Sequence, residues 1–327
     1  MTTTSAAGTR QSTRPSTRQT GLGRHAARRR LTWVLFLLPA LLVYVGFMAV
    51  PLINSLGLSF YQGAGLRPDT FVGLQNYVDL FTNPLWRDRF FNALVNTIIF
   101  FAIHMLVQNT LGLLFATLLA TGIRGTSVLR TIIFIPATLS VLVIGFLWRL
   151  ILNPQWGAVN QVLKAVGLKQ WALPWLGEPG LVLIIISLVS SWQWVGLPTM
   201  MFLAGLIGIP DELTEAARVD GANAWQVFWR IKLPLLTPVI GIVSILTFVG
   251  NFNAFDIVYA MAGPRGDPKH AADILGTFFY RTAIAGEHPV AQPNMGIGAA
   301  VATTIFFILL VGVSFWLVAS RRREYEL

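Results

Sequence analysis

Six stretches of the chain are apolar almost without interruption, at residues 31–58, 93–120, 129–152, 181–208, 235–262 and 294–320. Each is long enough to cross a bilayer as a helix, which takes roughly 20 residues. The runs are continuous and lack ten-residue alternation, so barrel strands are not expected. The pattern predicts an all-α membrane protein with six transmembrane helices. Prolines fall inside four positions of these runs, Pro39, Pro51, Pro136 and Pro198. A bundle tolerates them as kinks or hinges, because neighbouring helices satisfy the freed carbonyls.

The polar positions between the spans set the orientation. Of the 24 Lys and Arg residues, fifteen lie on the side that holds both termini: seven in the tail 1–30, Arg124, Arg130, Arg218, Arg230, Lys232, and the three of "RRREYEL". The other nine are Arg67, Arg87, Arg89, Arg149, Lys164, Lys169, Arg265, Lys269 and Arg281. The richer side is expected in the cytoplasm. Residues 1–30 are Ser-, Thr-, Arg- and Gly-rich with almost no large apolar side chain, and read as a disordered basic cytoplasmic tail. The six-span domain then covers 31–323, and 324–327 form a cytoplasmic C-terminal end.

Composition narrows the chemistry. The 327 residues are 54% hydrophobic and 12% charged, with a formal net charge of +10 that sits mostly in the tail, so nucleic acid is not an expected partner. There is no cysteine, and the four histidines show no metal-ligand spacing. No catalytic or metal site is expected. None of the four lysines follows the Gly-x-x-x-x-Gly of a phosphate loop, so the chain binds no nucleotide of its own by this reading. Asp256 is the lone acid inside any span, whereas an ion-coupled carrier needs buried charge. A secondary carrier or channel for small polar solutes is the alternative reading, and it would be expected to show such charges or inverted repeats. A membrane-embedded enzyme would need a polar catalytic cluster at one interface.

The segment 209–234 is the most polar interruption in the middle of the chain. Asp211 can cap a helix there, and Glu212 and Glu215 suit the positive end of its dipole. Gly221 offers a left-handed stop, Asn223 a cap for a second helix at 224–231, and Pro234 an end. Two helices this short are marginal alone and need to dock on something. Leu213, Ala216 and Ala217 share one face that would admit a close neighbour.

The spacing of Glu215, Ala216, Ala217, Gly221, Ile231, Leu233 and Pro234 resembles the cytoplasmic "EAA" loop of ABC importer permeases, most closely those of carbohydrate uptake. "LLPALLVYVGFMAVPLINSLGLSF" and "FVGLQNYVDLF" are similar to the first span and first external connection of that family. "GAVNQVLKAVGL", "FDIVYAMAGP" and the short "RRREYEL" ending resemble the maltose-permease and glycerol-phosphate-permease type. The tail to Arg30 has no counterpart. The resemblance implies a type I ABC importer permease fold with a cytoplasmic coupling helix in the bacterial inner membrane. It also implies a second permease as heterodimer partner, two ATPase subunits that use ATP and Mg, and an extracytoplasmic solute-binding protein. The cargo would be a sugar, oligosaccharide or related polyol, moved by alternating access.

A hydroxyl-rich cargo calls for amides, carboxylates and aromatic faces. Span five offers Asn253 and Asp256, expected one turn apart on one face, with Asn251 and Tyr259 nearby. Span four offers Trp192, Gln193 and Trp194, and span two Gln108 and Asn109. The same amides could instead hold helices together, and His104 could be a packed helix contact.

Overall fold

A computed structural model describes residues 33–63, 68–287, 289 and 291–324, with side chains to Val318. The basic tail, Arg67, His288 and residues 325–327 lie outside the described residues. The chain divides into two compact units, Met1–Asn54 and Ser55–Leu327.

In the first unit the described residues belong to helix α1 (Trp33–Leu58), which runs on past the boundary. It passes Pro39 without a break and widens into a π-helical turn at Val45–Ala49. Pro51 follows that turn by two residues. A proline ring clashes with the carbonyl four residues back and brings no N–H. A π turn shifts the hydrogen-bond register just where that clash falls.

The second unit opens with a two-residue antiparallel ladder, β1 (Tyr61–Gln62) against β2 (Thr70–Phe71), the departure from an otherwise helical reading. Helix α2 (Gln75–Thr82) follows, and then α3 (Pro84–Ala120), 37 residues with a π turn at His104–Asn109. The apolar pattern placed the start of this span at 93. The helix begins nine residues earlier because Asn83 accepts from the Leu85 amide at 3.0 Å and Pro84 takes the first turn, where its missing N–H costs nothing.

The expected third span is two helices, α4 (Thr126–Thr138) and α5 (Val141–Ile151), set at 95°. Leu139 and Ser140 between them are extended. Pro136 removes an amide from the last turn of α4. After α6 (Ala158–Ala165), the expected fourth span is likewise a bent pair, α7 (Val182–Trp194) and α8 (Gly196–Ile207), at 47°. Next come α9 (Asp211–Val219), α10 (Ala224–Leu235), α11 (Thr237–Phe252), α12 (Asp256–Ala262), α13 (Leu275–Tyr280) and α14 (Met295–Glu324). The expected fifth span, 235–262, is thus not one helix. It breaks at residues 253–255, and α10 meets α11 at 65°. Among the described residues, three helices are long and apolar enough to cross a membrane unaided: α1, α3 and the Met295–Val318 part of α14.

Small residues let the helices approach, as the packing of membrane bundles requires. A Cβ on Gly112 of α3 would sit 3.0 Å from Pro198 of α8, and one on Gly145 of α5 would sit 2.5 Å from the Ala260 methyl of α12. Three apolar cores result. Phe100, Ile144, Ile186 and Val258 centre one, Phe90, Phe252, Phe278 and Val301 a second, and Ala116, Phe202, Leu206 and Leu236 a third. Around them, large apolar side chains such as Leu106, Leu114 and Phe307 stay exposed, as on a surface meant for lipid.

The segment between α12 and α13 is tied down with unusual thoroughness. The Asn92 and Asn96 amides donate to the His270 and Asp273 carbonyls, and the Thr97 hydroxyl accepts from the Leu275 amide at 3.0 Å. Asp273 and Arg281 are both fully buried and form a two-pronged ion pair, the second contact 2.6 Å long. Thr277 donates to the same carboxylate at 2.8 Å. Burial pushes the Asp273 carboxyl above its usual range, while the guanidinium and the hydroxyl pull it back toward the charged form.

Candidate functional site

The polar segment 209–234 folds as two short helices joined at a glycine. Helix α9 starts at Asp211 with Pro210 at the cap position, so Asp211 is the first helical residue and not the cap. Its charge and that of Glu212 still lie in the first turn, where the dipole favours them. The helix stops at Gly221, whose φ of +86° only glycine adopts without strain. Asn223 accepts from the Gln226 amide at 2.9 Å, and the Gln226 side chain accepts from the Asn223 amide at 2.9 Å. This reciprocal pair starts α10.

The proline does not end α10. The helix passes through a π turn at Phe228–Lys232 and continues over Leu233 and Pro234 to Leu235. The π turn again ends two residues before the proline, as in α1, and for the same steric reason. Ile231, Leu233 and Pro234 therefore form a continuous helical run into the 65° corner with α11, where Leu236 is fully buried.

On α9, Glu215 and Ala216 are exposed and Ala217 is half-buried. No ion pair joins Glu215 to Arg218 among the described residues. Thr214 is the residue that turns inward, its hydroxyl donating to the Asp211 carbonyl at 2.8 Å. Leu213, Glu215 and Ala216 are each exposed on α9 and so accessible to another surface.

A cavity of about 330 Å³ lies between α3, α7, α8 and α11 and the break that follows α11. It brings together five of the expected cargo residues, Gln108, Trp194, Asn251, Asn253 and Asp256, with His104, Ser190 and Thr247. Asn253 and Asp256 do not share a helical face. Helix α11 ends at Phe252, and Asp256 opens the short α12. The break has a packing cause: Gly276 of α13 presses so close that a Cβ there would lie 2.1 Å from the Ala254 carbonyl. Asp256 is exposed in the cavity wall, in the first turn of α12, where the helix dipole favours its charge. The Asn251 amide donates to the Thr247 carbonyl at 2.7 Å, while its buried Oδ1 has no partner among the described residues.

Trp192, Gln193, Tyr259 and Asn109 do not line this cavity. Gln193 is fully buried and donates to the Leu139 carbonyl at 3.2 Å, filling the valence left open at the corner of α4 and α5. Trp192 stacks edge-on against Trp148 at 5.7 Å. Tyr259 joins Phe255 and Tyr280 in an aromatic cluster. Asn109 bonds Thr247 at 3.1 Å across α3 and α11, and His104 bonds Ser190 at 3.0 Å across α3 and α7, so both tie helices together. A second cavity, of about 360 Å³, has Phe252, Phe279, Tyr280 and Ile305 in its lining, and Asn253 and Phe255 line both cavities.

Chemically, the first cavity pairs hydrogen-bond acceptors and donors with the aromatic faces of Trp194 and Phe255. Its amides and the Asp256 carboxylate can meet the hydroxyls of a solute, and the rings its C–H surfaces.

The profile of the "Binding-protein-dependent transport system inner membrane component" family matches residues 108–323. The probable ABC transporter permease protein YurN of Bacillus subtilis is 36% identical over 84% of this chain and 91% of its own length. The lactose transport system permease protein LacF of Rhizobium radiobacter is 30% identical over 89% of this chain and 94% of its own length. Among solved structures, a chain of a bacterial ABC transporter involved in importing the acidic polysaccharide alginate superposes with a TM-score of 0.77. At 24% identity over 92% of this chain and 98% of that one, the likeness is one of fold. With two helices joined at Gly221 in place of the polar interruption, and a matched region that spans most of the bundle, the chain belongs to the binding-protein-dependent transport system inner membrane component family.

Proposed function

We propose that the chain is the transmembrane permease subunit of an ABC importer for a sugar, oligosaccharide or related polyol, placed six times across the bacterial inner membrane with both termini in the cytoplasm. It works beside a second permease, two ATPase subunits that bind ATP and Mg, and an extracytoplasmic solute-binding protein. The observation that carries the reading is the pair α9–α10: an acidic, small-residue helix with an exposed face, held at a fixed angle by Gly221 and by the Asn223–Gln226 pair. The tight turn at Gly221, the capped start of α10 and the exposed residues of α9 support this reading. Glu215 then faces a basic residue of the ATPase, and ATP-driven closure swings α9 and the helices behind it between inward- and outward-facing arrangements. The cargo passes along the cavity of Asn251, Asn253, Asp256 and Trp194. Sugar relatives such as LacF support the cargo class.

The test is uptake and ATPase co-purification with Glu215→Lys and Gly221→Pro. Both variants are expected to insert in the membrane but to lose the ATPase or its transport-coupled hydrolysis. Normal uptake by both would refute the coupling role of this segment.

A further inference from the structure

The two helices of the cytoplasmic segment differ sharply in charge. Helix α9 and its C-terminal neighbour hold Asp211, Glu212, Glu215 and Asp220 against a single Arg218. Helix α10 holds Arg230 and Lys232 and no acid, and it carries three large aromatics. Two of these, Trp225 and Trp229, are four residues apart with ring centroids at 5.4 Å, and they are 69% and 48% exposed. Phe228 packs edge-on against Trp229 at 5.6 Å. Val227, on the other side, is buried. Helix α10 therefore has one face against the protein, while Trp225, Trp229 and Arg230 are exposed and Lys232 is half-buried.

Its direction matters as much as its composition. Helix α10 meets α11 at 65°. With α11 crossing the bilayer close to its normal, α10 lies nearer the membrane plane than the normal, at the cytoplasmic border. Indoles concentrate at that depth, where the ring is half in the acyl region and the N–H is wet. Basic side chains beside them meet the negative potential of anionic headgroups.

We propose that α10 is an interfacial helix whose Trp225 and Trp229 enter the headgroup region of the cytoplasmic leaflet and whose Arg230 and Lys232 pair with anionic lipid phosphates. The inference rests on the reading of the segment as cytoplasmic and of α11 as a span. It divides labour between the two helices: the acidic α9 faces a protein, and the basic, aromatic α10 faces lipid. The lipid contact anchors the root from which α9 pivots.

The chain has no native cysteine, so Trp225→Cys gives a single labelling position. The full-length chain, spin-labelled there, is placed in nanodiscs of phosphatidylcholine and phosphatidylglycerol. Collision with oxygen is expected to exceed collision with a water-soluble nickel chelate, and addition of the ATPase subunits is expected to leave both unchanged. A label at Val219→Cys on α9 serves as the contrast, exposed to the chelate until the ATPase binds. In a second arm, Arg230→Gln and Lys232→Gln are each expected to lower retained phosphatidylglycerol, counted by native mass spectrometry, about fivefold, the ratio that ~1 kcal/mol per basic side chain gives. A Trp225 label that meets the chelate and is shielded only by the ATPase overturns the proposal in favour of a protein contact. Unchanged lipid retention in both glutamine variants overturns it as well. Failure of the ATPase to bind at all refutes the coupling reading instead, and the label's depth without ATPase still decides the lipid contact.

Discussion

Asp273 and Arg281 are the residues at which a single change should cost the protein most. Both are fully buried, and each supplies the charge the other needs. Asp273→Asn removes the carboxylate charge from the fully buried pair and is expected to destabilise the solubilised protein by about 3–5 kcal/mol. Thermal unfolding in detergent measures it. Asp273→Leu with Arg281→Met removes both charges and should recover much of that loss, because a buried pair exchanged for apolar groups is often neutral. At Gly145 the argument is steric. A methyl there would meet the Ala260 methyl at 2.5 Å, so Gly145→Ala is expected to cost roughly 1–3 kcal/mol in the same assay. Neither the ion pair nor the close approach was legible in the sequence. Asp273 and Arg281 stand eight residues apart between two apolar runs, and in the sequence Arg281 is one basic residue among the nine assigned to one side. The sequence shows charges, while only the fold shows which of them lose water. Gln193 makes the same point from the other side, since an amide in a span reads equally as cargo contact or as helix glue.

For the helices, the apolar runs located the bundle well and its corners poorly. Capping residues were the readable part: Gly221 and Asn223 do what their chemistry suggests. Asn223→Ala should cost α10 about 1 kcal/mol and speed exchange of the Gln226 amide about fivefold, which hydrogen exchange detects. Pro234 was the misleading residue, because it reads as a helix end, whereas Pro51 reads as lying inside its span and does so. Pro51 and Pro234 sit inside continuing helices, each two residues beyond a π turn that absorbs the ring. A π turn has no residue signature of its own, so a sequence reading ends the helix where the structure merely changes its register. The breaks at Leu139–Ser140 and at residues 253–255 were hidden for a related reason. At 253–255 a distant segment packs on the break, Gly276 of α13 against the Ala254 carbonyl, while at Leu139–Ser140 the local contributor, Pro136, reads from the sequence only as a kink.

Across the molecule, the proposed coupling face and the cavity are separate regions, so their variants should separate too. Asn251→Ala and Asp256→Asn are expected to lower uptake about tenfold each, the worth of one hydrogen bond to a charged or buried partner. The ATPase should still co-purify with both. Loss of the ATPase in either variant would mean that these side chains support the bundle and not the cargo.

The wall shared by the two cavities has a further consequence. Asn253 and Phe255 face both chambers, and the backbone between α11 and α12 there forms neither helix nor strand. The hydrogen bonds of this wall are those that close α11, from the Asn253 and Ala254 amides, and open α12, at the Phe255 carbonyl. Moving it would enlarge one chamber at the other's expense, as a sliding valve does, at the cost of those terminal turns.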